Sequence, residues 1–568
     1  MYDKAQLFWN TSFRPSEHKR NYFVTGEEQR VSIPLIGREE ILARLEQRLE
    51  SLKKGYRQNV GLVGPRFIGK TFLLRRFLET ASQNPDIVPI YILFSEFDFD
   101  GFVERWLGSL LQSFLHSLGL ALPEEFQQWV KISKEYIPRT LERMRQVKKY
   151  AFQKKYSSAF RELLALTATL REETGKKILL ILDEFQFLGS LDLTDPYGLF
   201  GKEMMIQKDT FYLVTSSEPQ RTKEIFSDRL SLLFGNFEVI EVGSLSQESV
   251  KAWVETFSPS VAIPETDLRV LNHLLDNHPY YLELFFQTVR QKSSPIPKQA
   301  WDRSFLLESL TDTLFSDHGL LNLHFEFRLQ GLFRWGREIL PFVKTLLALA
   351  HGRAKLFQIA AYSGKKVPET QKTLQRLMGE GMVLKSGSFY VLTDALFRFW
   401  LRNVYPIKER ELSPGKEKAR FHFQNRLDHE IRKIEEEDRK DLTARLESLF
   451  REFRNDVVQI NQKKVQCPSF LELATRPTNG RFFPILGRTS QGRWFCQVFK
   501  DLIHEGDVAG FVEELKRQRK KIQKKVMVAL GGIELNAKLM AQEGKIQIWD
   551  LASLNALLDL YGKLKIIL

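Results

Sequence analysis

The chain has very little cysteine. Its 568 residues include two, Cys467 and Cys496, too few for a disulfide framework or for a four-ligand zinc site of their own. It also lacks a long apolar run: no window approaches the roughly 18 uninterrupted apolar residues of a membrane-spanning helix. The opening residues, MYDKAQLFWNTSF, lack the basic-then-apolar order of a secretory signal. Low-complexity tracts and internal repeats are missing as well. The composition, 43% hydrophobic and 27% charged, excludes a disordered chain. These absences predict a soluble, reduced, cytoplasmic protein of about three to five domains. One imbalance stands out. Lys and Arg number 84 against 70 Asp and Glu, a net charge of +14. Such a surplus fits a polyanionic partner and fits plain solubility equally.

The pattern along the chain is α/β. Residues 1–33 read as an aromatic, charged arm. Ile41, Leu42, Leu45, Leu49 and Leu52 then recur at helical spacing. Short apolar runs at 59–63, 88–94, 178–182, 210–215 and 238–242 alternate with helical stretches, as in a doubly wound parallel sheet. Residues 101–175 are helical and contain the basic, aromatic stretch RQVKKYAFQKKY. Residues 247–335 are again helical. Three short helices follow, then a hairpin turning at Ser386–Gly387, a charged linker at 406–414 and a helical stretch over 415–460. The remainder alternates strand and helix, with a helix expected to run to Lys525.

The most specific motif is Gly64-Pro65-Arg66-Phe67-Ile68-Gly69-Lys70-Thr71, a match to G-x-x-x-x-G-K-[ST] between an apolar strand and a helix. Glycines let the backbone wrap phosphates with its N–H groups pointing inward. The helix that follows, through Phe72, adds the positive end of its dipole. Lys70 is expected to reach the β- and γ-phosphates, and Thr71 to ligate Mg²⁺. The other half of such a site is a carboxylate at a neighbouring strand end. Lys177–Glu184 (KILLILDE) supplies Asp183 for Mg²⁺ and Glu184 to polarise the attacking water. Thr215, Ser216 and Ser217 end a further strand, where they form either a γ-phosphate sensor or an ordinary serine turn.

The segments PLIGREEIL, GLVGPRFIGKT, ILLILDEFQ, LVTSS, LLFGNFEVIEVGSLS and NHPYYLEL, over about residues 34–405, resemble the archaeal-type P-loop ATPase family. That family is close to the signal-transduction ATPases and related to AAA+ replication initiators. The combination of Gly37-Arg38-Glu39, GPR…GKT and Asp183-Glu184-Phe185-Gln186 carries the resemblance. It implies ATP as the nucleotide, a core over 34–246, a helical lid over 247–335 and a winged helix over 336–405. Two positions depart from the family. Asn236 stands where an arginine is usual, with Arg229 as a substitute upstream. Asn277-His278-Pro279 replaces a Gly-x-Pro element of the lid; it either reports nucleotide state or caps a helix.

In the winged helix, Leu346–Ala350, Leu356–Ala361 and Pro368–Gly379 are the expected helices. The third presents Gln371, Lys372, Gln375 and Arg376 toward DNA, or the whole module packs on the core as a regulator. Residues 415–568 carry 29 Lys and Arg against 21 Asp and Glu, so +8 of the +14 lies there. Seven of the ten residues Lys516–Lys525 are basic, the mark of a nucleic-acid face or of a solvated helix. The order of elements resembles a restriction-endonuclease-like domain. An active one needs a strand carboxylate and then Glu-x-Lys on the next strand. FFPILG has no aspartate, and Val498-Phe499-Lys500 puts valine in the glutamate position. The domain therefore reads as an inactive relative that binds DNA or a protein. Three functions follow: a DNA-acting ATP switch, an ATP-gated protein scaffold, or an ATP-dependent nuclease. Homo-oligomerisation stays open.

Overall fold

The computed structural model describes residues 35–94, 98–226, 237–257, 262–293, 301–335, 339–410, 416–460, 463–475, 482–518 and 522–567. The arm, Arg229 and the segment 233–236 lie outside them. The chain divides into two compact units, Met1–Leu245 and Ser246–Leu568.

The first unit is a three-layer α/β sandwich. In chain order it contains α1 (Glu39–Lys53), β1 (Asn59–Val63), α2 (Lys70–Ser82), β2 (Ile87–Leu93), α3 (Phe99–Ser117), α4 (Phe126–Ser133), α5 (Pro138–Phe152) and α6 (Tyr156–Thr174). Then come β3 (Lys177–Asp183), α7 (Pro196–Ile206), β4 (Thr210–Ser216), α8 (Pro219–Glu224) and β5 (Phe237–Glu241). The strands are all parallel in the order β2-β3-β4-β1-β5. Each lies within a residue or two of the apolar run that predicts it. Continuous burial explains why those runs do not alternate with polar residues. On β3, Leu179 and Ile181 pack with α1 and α2, while Ile178, Leu180 and Leu182 pack with α3–α7. Both faces of the sheet are thus covered.

The second unit begins with α9 (Gln247–Phe257), α10 (Glu265–Leu275), α11 (Pro279–Ser293), α12 (Arg303–Leu314) and α13 (Leu320–Gln330). Next come α14 (Leu340–Ala350), α15 (Leu356–Ser363), α16 (Val367–Gly379), the antiparallel pair β6 (Val383–Ser386) and β7 (Phe389–Leu392), α17 (Ala395–Asn403) and α18 (Tyr405–Arg410). The last part comprises α19 (Lys416–Asp438), α20 (Leu442–Arg451), β8 (Asp456–Ile460), β9 (Lys463–Cys467), β10 (Glu472–Thr475), β11 (Phe482–Arg488) and β12 (Arg493–Phe499). It ends with α21 (Glu505–Arg517), β13 (Ile522–Ala529), α22 (Leu535–Glu543), β14 (Gln547–Asp550) and α23 (Leu551–Leu560). Strands β10 to β14 form one mixed sheet in sequence order. The first pairings are antiparallel, and β12-β13-β14 are parallel.

Four expectations need correction. The hairpin turns at Gly387–Ser388, because Ser386 pairs with Phe389 and Gly387 takes the left-handed φ of +61°. Residues 406–410 of the expected linker belong to the helix α18. The stretch 415–460 is not wholly helical: it ends in β8, whose alternating buried and exposed residues match a strand. The basic run Lys516–Lys525 is not one helix. The buried stripe of α21, Val508 and Phe511 with half-buried Leu515, has no apolar successor at Gln518. Without an apolar face to bury, the helix stops at Arg517 and a strand begins at Ile522. Both cysteines are buried and unpaired, and burial pushes the Cys467 thiol up to about 12. Among the described residues no helix is long and apolar enough to cross a membrane.

Candidate nucleotide-binding site

The site forms where β1 ends. The Gly64 amide donates to the Ser216 carbonyl of β4 (3.1 Å). A Cβ on Gly64 would stand 2.3 Å from the Val242 carbonyl oxygen, closer than real Cβ atoms approach. The chain then passes through left-handed conformations at Phe67 (φ 62°) and Gly69 (φ 98°). Ile68, buried in the core, anchors the loop from below, while Pro65, Arg66 and Phe67 are exposed. Gly69 occupies the N-cap of α2, and Lys70, Thr71 and Phe72 form its first turn. The free amides of that turn and the helix dipole favour an anion in front of it.

Lys70 turns back across the loop. Its Nζ donates to the carbonyls of Gly64 and Pro65, each at 2.8 Å, and the side chain is buried. Burial pulls its pKa down; Glu184 and Asp183 pull it back up, and Arg66 adds to the lowering. Arg38 holds the loop from the other side, donating to the carbonyls of Ile68 (3.4 Å) and Gly243. The Gly37-Arg38-Glu39 motif is thus a brace. Glu39 accepts from the Gly37 amide (3.1 Å), which fixes the turn that aims Arg38.

Strand β4 separates β1 from β3, which sets the carboxylates about 10 Å across the sheet from the loop's strand. Asp183 is buried at the end of β3. Its Oδ2 accepts from the Tyr91 hydroxyl (2.5 Å), and its Oδ1 from the Thr215 hydroxyl and the Glu184 amide (3.1 Å). Burial raises the Asp183 pKa, against the lowering by Thr215 and Tyr91. Glu184 sits at φ 57°, a left-handed conformation that costs about 1–2 kcal/mol outside glycine. Its Oε2 accepts from the Ser217 hydroxyl (2.6 Å) and the Gln186 amide. Gln186 is fully buried.

The structure therefore brings together Gly64–Thr71, Asp183 and Glu184. It also gives Thr215 and Ser217 definite partners, one for each acid. Tyr91 was not foreseen, because a tyrosine inside a buried strand carries no sequence signal. Lys372 and Arg376 belong to the second unit, where Gln371, Lys372, Gln375 and Arg376 form an exposed face of α16. Of Lys516–Lys525, Lys516 and Arg517 are exposed at the end of α21. Lys524 lies over the Trp494 ring (4.3 Å) and Lys525 donates to the Gly544 carbonyl (3.3 Å). Residues 519–521 lie outside the described residues. Val498 is fully buried beside Trp494 and Cys496. Among the described residues no group of three His, Cys, Asp or Glu side chains could hold a metal ion.

No functionally curated protein matches the chain significantly. The solved structures similar to the chain include the following three. A Walker-type ATPase of Pyrococcus abyssi is 18% identical, with 65% of this chain and 96% of that one covered and a TM-score of 0.44. The ORC2 protein of Aeropyrum pernix in its ADPNP–ADP complexes is 11% identical over 73% of this chain and 98% of that one, with a TM-score of 0.39. The ORC1 protein of Aeropyrum pernix in complex with DNA is 14% identical over 65% and 92%, with a TM-score of 0.37. Residues 34–195, which include the phosphate loop and Asp183, match the AAA ATPase domain.

Proposed function

We propose that the chain is an ATP-driven switch that acts on DNA. The main support is the convergence of Gly64–Thr71 with Asp183 and Glu184 at one end of a five-stranded parallel sheet. The donors present suit a magnesium nucleotide. Loop and α2 amides with Lys70 would hold the phosphates, Thr71 and Asp183 would hold Mg²⁺, and the ion would neutralise phosphate charge. Lys70 has its ammonium on the loop carbonyls, so it must exchange those bonds for phosphate oxygens when nucleotide enters. Glu184, held by Ser217 and Gln186, is the general base for the attacking water. Hydrolysis then resets the lid, residues 247–335, with Asn277-His278-Pro279 as its reporter.

The output lies in the second unit. We read helices α14–α16 with β6 and β7 as a winged helix, whose α16 carries Lys372 and Arg376 at its surface. We read the mixed β10–β14 sheet with α20–α23 as a restriction-endonuclease-like domain without its acids. A second reading, a protein-binding scaffold, is favoured by one observation. The wing is covered: the Ser388 amide and hydroxyl donate to the Val457 carbonyl (2.9 and 3.2 Å), and Phe389 joins the core of the last domain. ATPase activity measured with and without duplex DNA separates the two. Stimulation by duplex supports the switch. A rate indifferent to DNA, together with no salt-dependent duplex binding, would leave the scaffold. Glu184→Gln should keep ATP binding and lose hydrolysis by roughly 10²–10⁴-fold; normal turnover in that variant would overturn the mechanism.

A further inference from the structure

The proposal above leaves unexplained the basic, aromatic stretch of the first unit. It forms the tip of the antiparallel hairpin α5–α6. Along the shaft of the hairpin several cations are paired. Arg139 pairs with Glu172 (2.8 Å), Arg143 with Glu162 (3.1 Å), Arg145 with Glu142 (2.9 Å) and Lys148 with Glu104 (3.0 Å). At the tip the pattern changes. Phe152 is 87% exposed. Lys149, Gln153, Lys154 and Lys155 around it are exposed as well, and none of the three lysines has an ion pair among the described residues. Asp100, exposed at the first turn of α3, has its pKa raised by burial and by Asp98, and Lys154 opposes that rise.

Two further features argue that this tip is not a mere folding turn. Lys154 holds a φ of 57°, where glycine would be less strained. The tip is also firmly seated. Tyr156, the first residue of α6, packs its ring on Phe99 at the start of α3 (4.7 Å). Phe99 follows β2 on the edge where Leu93 pairs with Asp183. The tip therefore projects from the carboxyl end of the sheet, the end that carries the phosphate loop.

We propose that this tip binds single-stranded nucleic acid, with Phe152 as a stacking platform for an unpaired base and Lys149, Lys154 and Lys155 as phosphate contacts. An exposed ring set among unpaired ammonium groups matches the two demands of such a strand, a π-face and a polyanionic backbone. Gln153 adds an amide that reads base edges. An anionic bilayer meets the same charge, but insertion buries a face of several apolar side chains, and the tip has one.

The test is fluorescence anisotropy of a labelled oligo-dT with the full chain across salt concentrations. Phe152→Ala should weaken binding roughly 5- to 100-fold. Lys154→Ala with Lys155→Ala should flatten the salt slope by about 1.4 for two lost single-strand contacts. Both variants should retain ATP binding, because the altered side chains are exposed. Lys372→Ala with Arg376→Ala should leave oligo-dT binding intact while lowering duplex binding, which separates this claim from the one about α16. No oligo-dT binding by the wild type would overturn the proposal. So would wild-type affinity in both tip variants, or loss in Phe152→Ala of binding to phosphatidylserine vesicles alone.

Discussion

The two glycines of the phosphate loop should fail for different reasons when replaced by alanine. At Gly64 the obstacle is space. The added Cβ would stand 2.3 Å from the Val242 carbonyl oxygen and 3.1 Å from the Ile68 Cγ2. Val242 is backbone, and its amide is tied to the Val63 carbonyl (2.7 Å), so neither side yields cheaply. Relief requires β1 and the segment after β5 to move apart by most of an ångström. Overpacking of that kind costs about 2–3 kcal/mol, or roughly 4–12 °C in the melting of a unit this size. It also displaces the carbonyl on which Lys70 rests, so nucleotide binding should fall with stability. At Gly69 nothing lies within 4 Å of a Cβ, but φ is +98°. The cost is torsional, about 1–2 kcal/mol, and the loop keeps its neighbours. Differential scanning fluorimetry without nucleotide, followed by titration of a fluorescent ATP analogue, measures both. Gly64→Ala should melt lower than Gly69→Ala. The reverse order, or a Gly64→Ala protein that melts and binds like wild type, would refute the steric account.

Three further outcomes are expected. Burial raises the Asp183 pKa above the unfolded value of about 3.9. A group shifted upward contributes most stability below its unfolded pKa and loses that contribution as pH rises through the folded one. Asp183→Asn should therefore raise the melting temperature of the nucleotide-free protein at pH 7.5, with the gain fading toward pH 4, and should abolish hydrolysis. A variant less stable than wild type at pH 7.5 would contradict this. Lys372→Ala with Arg376→Ala should lower the salt slope of duplex binding by about 1.8, two contacts' worth; an unchanged slope would remove α16 from the interface. Gly387→Ala meets both a φ of +61° and a Val457 carbonyl 2.0 Å from the new Cβ. It should lower the unfolding free energy of the second unit, read from urea titration, by at least about 2 kcal/mol, and a neutral result would mean that the wing is not seated on β8.

Much of the first unit is legible in the sequence because its signals are local. A buried parallel strand must be continuously apolar, so VPIYILF and KILLILD declare themselves. A phosphate loop needs glycine, lysine and threonine at fixed spacing, so Gly64–Thr71 does too. Asp183 and Glu184 follow because an acid pair after such a strand has few other uses. The errors arise where local pattern and long-range pairing disagree. Lys516–Lys525 looks like one helical face by composition. Lys524 and Lys525 instead lie on β13, whose partners β12 and β14 come from segments that composition does not connect to it. Residues 456–460 read as the end of a charged helix, yet β9 captures them as a strand.

The sequence by itself determined the phosphate-loop motif and the parallel core, since both depend on residue type at short spacing. Tertiary structure alone decided which groups hold the acids in place. Tyr91 and Thr215 reach Asp183 from two different strands, and Ser217 and Gln186, themselves hydrogen-bonded to each other (3.1 Å), share the Oε2 of Glu184. It also decided which cations are available. Many of the 84 basic side chains are held in pairs such as Arg143–Glu162 or lie inward as Lys524 does, so the net +14 says nothing of where free cations stand. Only the three-dimensional arrangement leaves Lys149, Lys154 and Lys155 around an exposed Phe152, because pairing depends on which acids lie within about 4 Å, and sequence order does not fix that distance.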